Sequence, residues 1–134
     1  MNHAKLQKRV SHIINNLGSS NMSSTQTPIV HTFVGLAGNA LQAGWQSVHS
    51  DYIQAMLHSK IIVLTQCDAW EDYYRLFEAL ILGAMVMTDC MLSMPNGLEH
   101  GVSIIEFESE IDLRDKILYY INHEEERIKI AKRG

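Results

Sequence analysis

The side chains best suited to binding a polar ligand lie together in the segment E-D-Y-Y-R-L-F-E-A-L, a few residues after an apolar run. Arg75 and Glu78 are three positions apart, so a helix presents both on one side. Glu71 and Asp72 stand where that helix is expected to begin, and the helix dipole stabilises carboxylates there. An alanine and a leucine follow Glu78, which indicates a position near the core, where a carboxylate is costly unless it accepts hydrogen bonds.

Two interpretations of this segment are open on the residues alone. Arg75 and Glu78 can form a surface ion pair, which is common on helices and contributes little to stability. The alternative is that two adjacent hydroxyls of a sugar donate hydrogen bonds to Glu78. In that case Glu71 and Asp72 are also free to face the ligand.

A second candidate is the turn G-L-A-G, which begins at Gly35 after the apolar run 29–34. Glycines let the backbone approach a phosphate closely, and the amide groups of such a turn can bind it. Glycine turns after strands are also common without any ligand. Ligands of a parallel sheet bind outside the carboxyl ends of its strands, so Gly35 and the segment around Glu78 are expected at the same edge.

The elements that must position these residues follow from the hydrophobic pattern, which predicts an α/β, Rossmann-like, three-layer α/β/α fold with a mostly parallel sheet of about four strands. Strands are predicted at 29–34, 60–65, 84–88 and 102–107, and helices at 4–17, 50–57, 72–82, 112–121 and 123–132. Gly18 and Gly83 are expected to end helices and Asp112 to begin one. The inward face of the helix over 72–82 is expected to consist of Tyr73, Phe77, Leu80 and Ile81.

Length and composition indicate one domain of 134 residues, with a helix and serine-rich loop over 1–28 and a core over 29–134. The net charge of −4 argues against a nucleic-acid-binding surface. No apolar run approaches the roughly 20 residues that span a bilayer, and no signal peptide is visible, so a cytoplasmic protein is expected. Cys67 and Cys90 are expected to stay reduced. The seven histidines lack metal-ligand spacing, so neither a metal nor a cofactor is predicted.

Several motifs resemble the C-terminal donor domain of glycosyltransferases with the GT-B fold. The first is R-x-x-E-A-x-x-x-G-A, followed by an apolar strand and an aspartate, in the stretch S-K-I-I-V-L-T-Q-C-D-A-W-E-D-Y-Y-R-L-F-E-A-L-I-L-G-A-M-V-M-T-D. The pieces L-E-H-G-V-S-I-I-E-F and D-L-R-D-K-I-L-Y-Y-I-N-H-E-E-E-R-I-K-I-A-K-R-G follow in the same order as in that group. The resemblance extends from about Gly44 to Gly134.

The resemblance implies a transferase that takes a sugar from an activated nucleotide donor. It places Glu78 at the ribose hydroxyls and Arg75 near the diphosphate, whose charge grows as it leaves. Asp89 matches the aspartate after the strand. Many relatives carry an earlier glutamate separated from the second by seven residues, whereas six separate Glu71 from Glu78 here. A metal is not implied, since there is no Asp-x-Asp motif.

Length is the main departure from this group, because a GT-B enzyme has two Rossmann-like domains and this chain has residues for one. We therefore expect half of a GT-B fold, incomplete at its N-terminus and inactive without a missing N-terminal Rossmann-like domain. Its acceptor (a glycan, a lipid or a protein) is not specified. The alternatives are a non-enzymatic Rossmann-like module that binds a nucleotide or a protein, and a small flavodoxin-like regulatory domain. Against the latter stands the lack of an acidic cluster after the first strand.

Overall fold

The computed structural model describes residues 3–20, 50–65 and 73–134. In these ranges three strands form one parallel sheet, in the order β1-β2-β3. The strands are β1 (Ile61–Leu64), β2 (Met85–Asp89) and β3 (Ile105–Phe107), and the helices are α1 (His3–Ser20), α2 (Ser50–Leu57), α3 (Tyr73–Ile81), α4 (Glu110–Asn122) and α5 (Glu124–Ala131). The α/β class and the parallel sheet are confirmed. The strand predicted over 29–34 lies outside the described residues.

The central strand of the described sheet is β2, which pairs with β1 through Ile61↔Met85 and with β3 through Met87↔Ile105. Its residues are buried up to Thr88, whereas every residue of β1 is half-buried. A strand covered on both faces has no solvent side, which explains why β2 reads as a continuous apolar run instead of an alternating one.

Helices cover both faces of this sheet. One face packs against α1, α4 and α5 through a cluster of buried residues. Its members are Val10, Met85, Met87, Ile105, Phe107, Leu113, Ile117 and Ile130. The other face packs against α2 and α3 through a second cluster, formed by Met56, Leu76, Ala79, Leu80, Val86 and Ile104. The architecture is therefore the predicted three-layer arrangement. None of the helices in the described part is long and apolar enough to cross a membrane.

The inward face of α3 differs from the prediction. Leu76, Ala79 and Leu80 are buried, while Phe77 is 45% and Ile81 83% exposed. Apolar residues occur almost all the way around this helix, so their spacing does not decide which stripe meets the sheet. The observed stripe brings the small Ala79 against the sheet and rotates α3 by roughly a quarter turn from the predicted orientation.

Two helix ends also differ from the sequence-based expectation. Ser109 is the N-cap of α4, and its side chain accepts a hydrogen bond from the backbone N–H of Asp112 at 3.2 Å, so Asp112 does not begin the helix. Helix α1 continues through Gly18 to Ser20 because glycine weakens a helix without forbidding it. Gly83 does end α3, as predicted, with a φ of 81°.

Candidate functional site

The first feature of the site is a hydrogen bond between α2 and α3. The hydroxyl of Tyr52 donates to Oε2 of Glu78 at 3.1 Å. Helix α3 connects β1 to the parallel strand β2, so it begins at the carboxyl edge of the sheet. Helix α2 leads into the amino end of β1, so its first turn, which carries Tyr52, lies toward that same carboxyl edge. Helical side chains lean toward the N-terminus of their helix, which carries the Glu78 carboxylate in this direction.

The hydrogen-bond partner of Glu78 lies on α2 and not on the sheet. Glu78 is half-buried, but the rotation of α3 places it away from the buried stripe of Leu76, Ala79 and Leu80. A carboxylate has about four acceptor sites, and the Tyr52 hydroxyl uses one of them, so Glu78 retains capacity to accept hydrogen bonds from a ligand.

The second feature is the guanidinium of Arg75, one turn before Glu78 on α3. Arg75 is half-buried, and within the described ranges no carboxylate or other acceptor bonds to it. In particular, Arg75 and Glu78 do not form an ion pair with each other, unlike the pairs Arg9–Glu110, Lys60–Glu124, Arg114–Asp115, Lys116–Asp112 and Arg127–Glu124 of the same ranges. The surface ion pair considered from the sequence is therefore not formed.

Asp89 is not brought together with these residues. It ends β2 and is half-buried, and the hydroxyl of Thr88 lies 3.4 Å from its Oδ1. Along the strand it alternates in phase with Met85 and Met87, whose side chains pack against α1, α4 and α5. Asp89 thus projects toward the opposite face of the sheet from Glu78. The remaining candidates, Glu71 and Gly35, lie outside the described residues.

Sequence reasoning missed two residues that shape this edge. Tyr52 lies within the helix predicted over 50–57, and nothing in its local pattern identifies a partner 26 positions away. Glu106 accepts a hydrogen bond from the backbone N–H of Met91 at 3.1 Å, which fixes the segment that follows β2. A single carboxylate within the apolar run I-I-E-F was the available signal for Glu106.

The comparison with protein families decides the family. The family model described as glycosyl transferase-like matches residues 24–134, which is most of the chain. The chain belongs to this glycosyl transferase-like family. The match confirms the resemblance carried by R-x-x-E-A-x-x-x-G-A and begins earlier than Gly44. No curated protein and no solved structure matches the chain significantly.

The carboxyl edge of this glycosyl transferase-like domain is electrostatically uneven. At the ends of β2 and β3, desolvation raises the pKa of the Cys90 thiol, the nearby carboxylates of Glu106, Glu108 and Asp89 raise it further, and Lys116 opposes them. Arg75 belongs to α3, on the other side of the sheet from these carboxylates and Lys116. In the described ranges no group of three or more metal-ligating side chains comes together.

Proposed function

We propose that this glycosyltransferase domain binds a nucleotide-sugar donor at the carboxyl edge of its sheet, beside α2 and α3. The observation that carries the proposal is a half-buried glutamate, Glu78, held by Tyr52 next to an arginine that has no partner in the described structure. Family membership supplies the class of reaction, and these side chains supply the chemistry that fits the nucleotide part of the donor.

In this proposal Glu78 accepts hydrogen bonds from the ribose hydroxyls. An ionised carboxylate only accepts, and a vicinal diol presents two donors close enough to share one carboxylate. Hydrogen bonds to a charged acceptor are stronger than those between neutral groups. This favours Glu78 as the main contact that distinguishes a nucleotide from a simple diphosphate.

Arg75 binds the diphosphate. Its guanidinium is always charged and presents several N–H donors in a fork that matches phosphate oxygens. When the bond to the sugar breaks, negative charge grows on the departing nucleoside diphosphate, and a cation fixed there stabilises the transition state more than the ground state.

Transfer to an acceptor requires a second surface that faces this edge. We propose that an N-terminal Rossmann-like domain, arranged as in the GT-B fold, supplies the acceptor site and the groups that act on the acceptor. Catalysis depends on holding both reactants in line, so this chain alone is expected to bind the donor without measurable transfer.

Thermal-shift titration with UDP-, GDP- and ADP-sugars tests the proposal. At least one is expected to raise the melting temperature in a concentration-dependent way, because a ligand that binds only the folded state stabilises it. Glu78→Ala is expected to abolish this shift. Glu125→Ala removes an exposed carboxylate of α5 and serves as the matched control.

Two results would contradict the proposal. The first is an equal response of the wild-type chain to every polyanion, including inorganic diphosphate. The second is a nucleotide-sugar response that Glu78→Ala leaves intact. Either result favours a non-enzymatic Rossmann-like module that binds another nucleotide or a protein.

A further inference from the structure

We infer that Tyr52 is a positioning residue that fixes the Glu78 carboxylate for the ribose of the donor. The inference rests on the proposed function and goes beyond it, because it assigns the selection of ribose to a contact between two helices. Tyr52 and Glu78 are 26 positions apart, and their 3.1 Å hydrogen bond joins the first turn of α2 to the middle of α3.

The ring of Tyr52 is held in place by packing. It is half-buried against the cluster that contains Met56, Leu76 and Val86. Its hydroxyl therefore lies at a fixed point relative to both helices. By contrast, the Glu78 side chain projects away from the sheet and has three rotatable bonds, so it would otherwise lose rotamer freedom when a ligand binds. The Tyr52 hydroxyl orders the carboxylate beforehand, and such preorganisation improves affinity.

The hydrogen bond also distinguishes the two carboxylate oxygens. Tyr52 donates to Oε2, so Oε1 and the remaining acceptor site of Oε2 are left for ligand donors. These remaining sites, about two on Oε1 and one on Oε2, are enough for the two hydroxyls of a ribose. The consequence is a preference for ribonucleotides over 2′,3′-dideoxynucleotides that depends on Tyr52 through Glu78, whereas affinity for the diphosphate does not.

The chain contains a matched control for this bond. The hydroxyl of Tyr119 donates to Oε2 of Glu126 at 3.0 Å, which joins α4 to α5 on the other face of the sheet. Tyr119→Phe therefore removes the same type of hydrogen bond between the same residue types, far from the proposed site. Both tyrosine-to-phenylalanine substitutions keep the ring.

The test measures the affinities of UDP, GDP and ADP and of their 2′,3′-dideoxy forms by isothermal titration calorimetry. The proteins are the wild-type chain, Tyr52→Phe, Tyr119→Phe, Glu78→Gln and the double variant of Tyr52→Phe with Glu78→Gln. Tyr52→Phe is expected to weaken the best ribonucleotide roughly three- to tenfold, the usual effect of one hydrogen bond, and to leave its dideoxy form unchanged. Tyr119→Phe should change neither affinity. In the Glu78→Gln background, Tyr52→Phe should have no further effect, since the two residues act as a unit.

The possible failures are distinguishable. If Tyr52→Phe weakens both forms of the nucleotide equally, Tyr52 has only a structural role and the inference is wrong. The inference also fails alone if Glu78→Gln removes the preference for ribose but Tyr52→Phe does not. If the wild-type chain binds no nucleotide, or if Glu78→Gln leaves the preference for ribose intact, the proposed function fails and the inference fails with it.

Discussion

Two groups of tyrosine, glutamate and arginine side chains lie on opposite faces of the sheet, and their contacts differ. The α2–α3 group consists of Tyr52, Arg75 and Glu78, and the α4–α5 group of Tyr119, Glu124, Glu126 and Arg127. Each group contains a hydrogen bond from a tyrosine to a glutamate and an arginine three positions from a glutamate. In residue types alone the two groups are nearly equivalent.

The arginines separate the two groups. Arg127 has a side chain only 8% exposed; its Nη2 lies 2.7 Å from Glu124, and its Nη1 donates to the backbone carbonyl of Lys60 at 3.4 Å. It thereby ties the last helix to the start of β1. Arg75 has no such partner within the described structure. Acid before base is the favourable order along a helix, and Glu124 precedes Arg127, whereas Arg75 precedes Glu78. The order of two charges thus differs between the paired arginine and the arginine that has no pair within the described residues.

The largest effect is expected from breaking the α4–α5 group. Arg127→Ala should lower the free energy of unfolding by about 2 kcal/mol, since it removes hydrogen bonds and the packing of a buried stem. Arg127→Met should restore part of this loss, because Nε of Arg127 is buried without an acceptor and methionine has no such group. Urea unfolding monitored by circular dichroism measures both. Arg114→Ala, at an exposed position of α4, is the control and should stay within about 0.5 kcal/mol of wild type. If Arg127→Ala is as stable as the wild type, Arg127 contributes no more to folding than is expected of Arg75, and the contrast between the two groups is lost.

The converse variant is Arg75→Ala. It should weaken binding of the best nucleotide sugar about tenfold through loss of one charge-assisted contact. Because Arg75 has no partner to lose in the described structure, the free energy of unfolding should change by less than about 0.5 kcal/mol. Calorimetry and urea unfolding of the same sample measure the two quantities. A destabilised variant with unchanged nucleotide affinity would reverse the assignment of Arg75.

A third variant, Ser109→Ala, tests whether a loss of folding stability by itself changes nucleotide affinity. Ser109→Ala removes the side chain that accepts from the N–H of Asp112 at the start of α4. The expected loss is about 1 kcal/mol of folding free energy, as for other N-caps. Nucleotide affinity should not change, because α4 covers the face opposite to Glu78. If nucleotide affinity is reduced under conditions in which this variant is fully folded, the two faces of the sheet are coupled.

The smallest expected effect is on the folding stability at acidic pH. The hydrogen bond from Lys116, at 2.8 Å, lowers the pKa of Asp112 below its ordinary value of 3.8, against the smaller opposing effect of burial. Because the folded state holds this carboxyl ionised more strongly, its contribution is present above the unfolded pKa. That contribution is lost as the pH falls through the folded-state pKa, which is below about pH 4. Asp112→Asn should flatten the decline in melting temperature between pH 5 and pH 3. An unchanged slope would mean that Asp112 does not contribute.

Most of the fold could be predicted from the sequence because the sheet is buried. The apolar runs at 60–65 and 102–107 contain β1 and β3, the run at 84–88 covers all of β2 except Asp89, and the predicted bounds of α2 are the observed ones. The prediction was wrong where local patterns are degenerate. Apolar residues surround α3, so its inward stripe depends on packing. Ser109 and Asp112 are both good caps, so the choice between them depends on where the chain leaves β3.

The residues of the candidate site were only partly accessible from the sequence, and their roles stay predictions. Arg75 and Glu78 could be found because they belong to one helix and one motif, R-x-x-E-A-x-x-x-G-A. The hydrogen bond from Tyr52 could not, since it depends on how α2 and α3 pack against the same face of the sheet. Asp89 shares the edge but projects from the other face, because side chains alternate along a strand. Glu71 and Gly35 lie outside the described residues.

The most direct test of the difference between the two groups is a titration of the ¹⁵N-labelled chain with the best-binding nucleotide sugar, followed by amide chemical shifts. The backbone amides around Tyr52, Arg75 and Glu78 are expected to shift in a saturable way, while those around Tyr119 and Arg127 stay in place. Saturable shifts confined to α4 and α5, or no saturable shifts at all, would contradict a donor site beside α2 and α3.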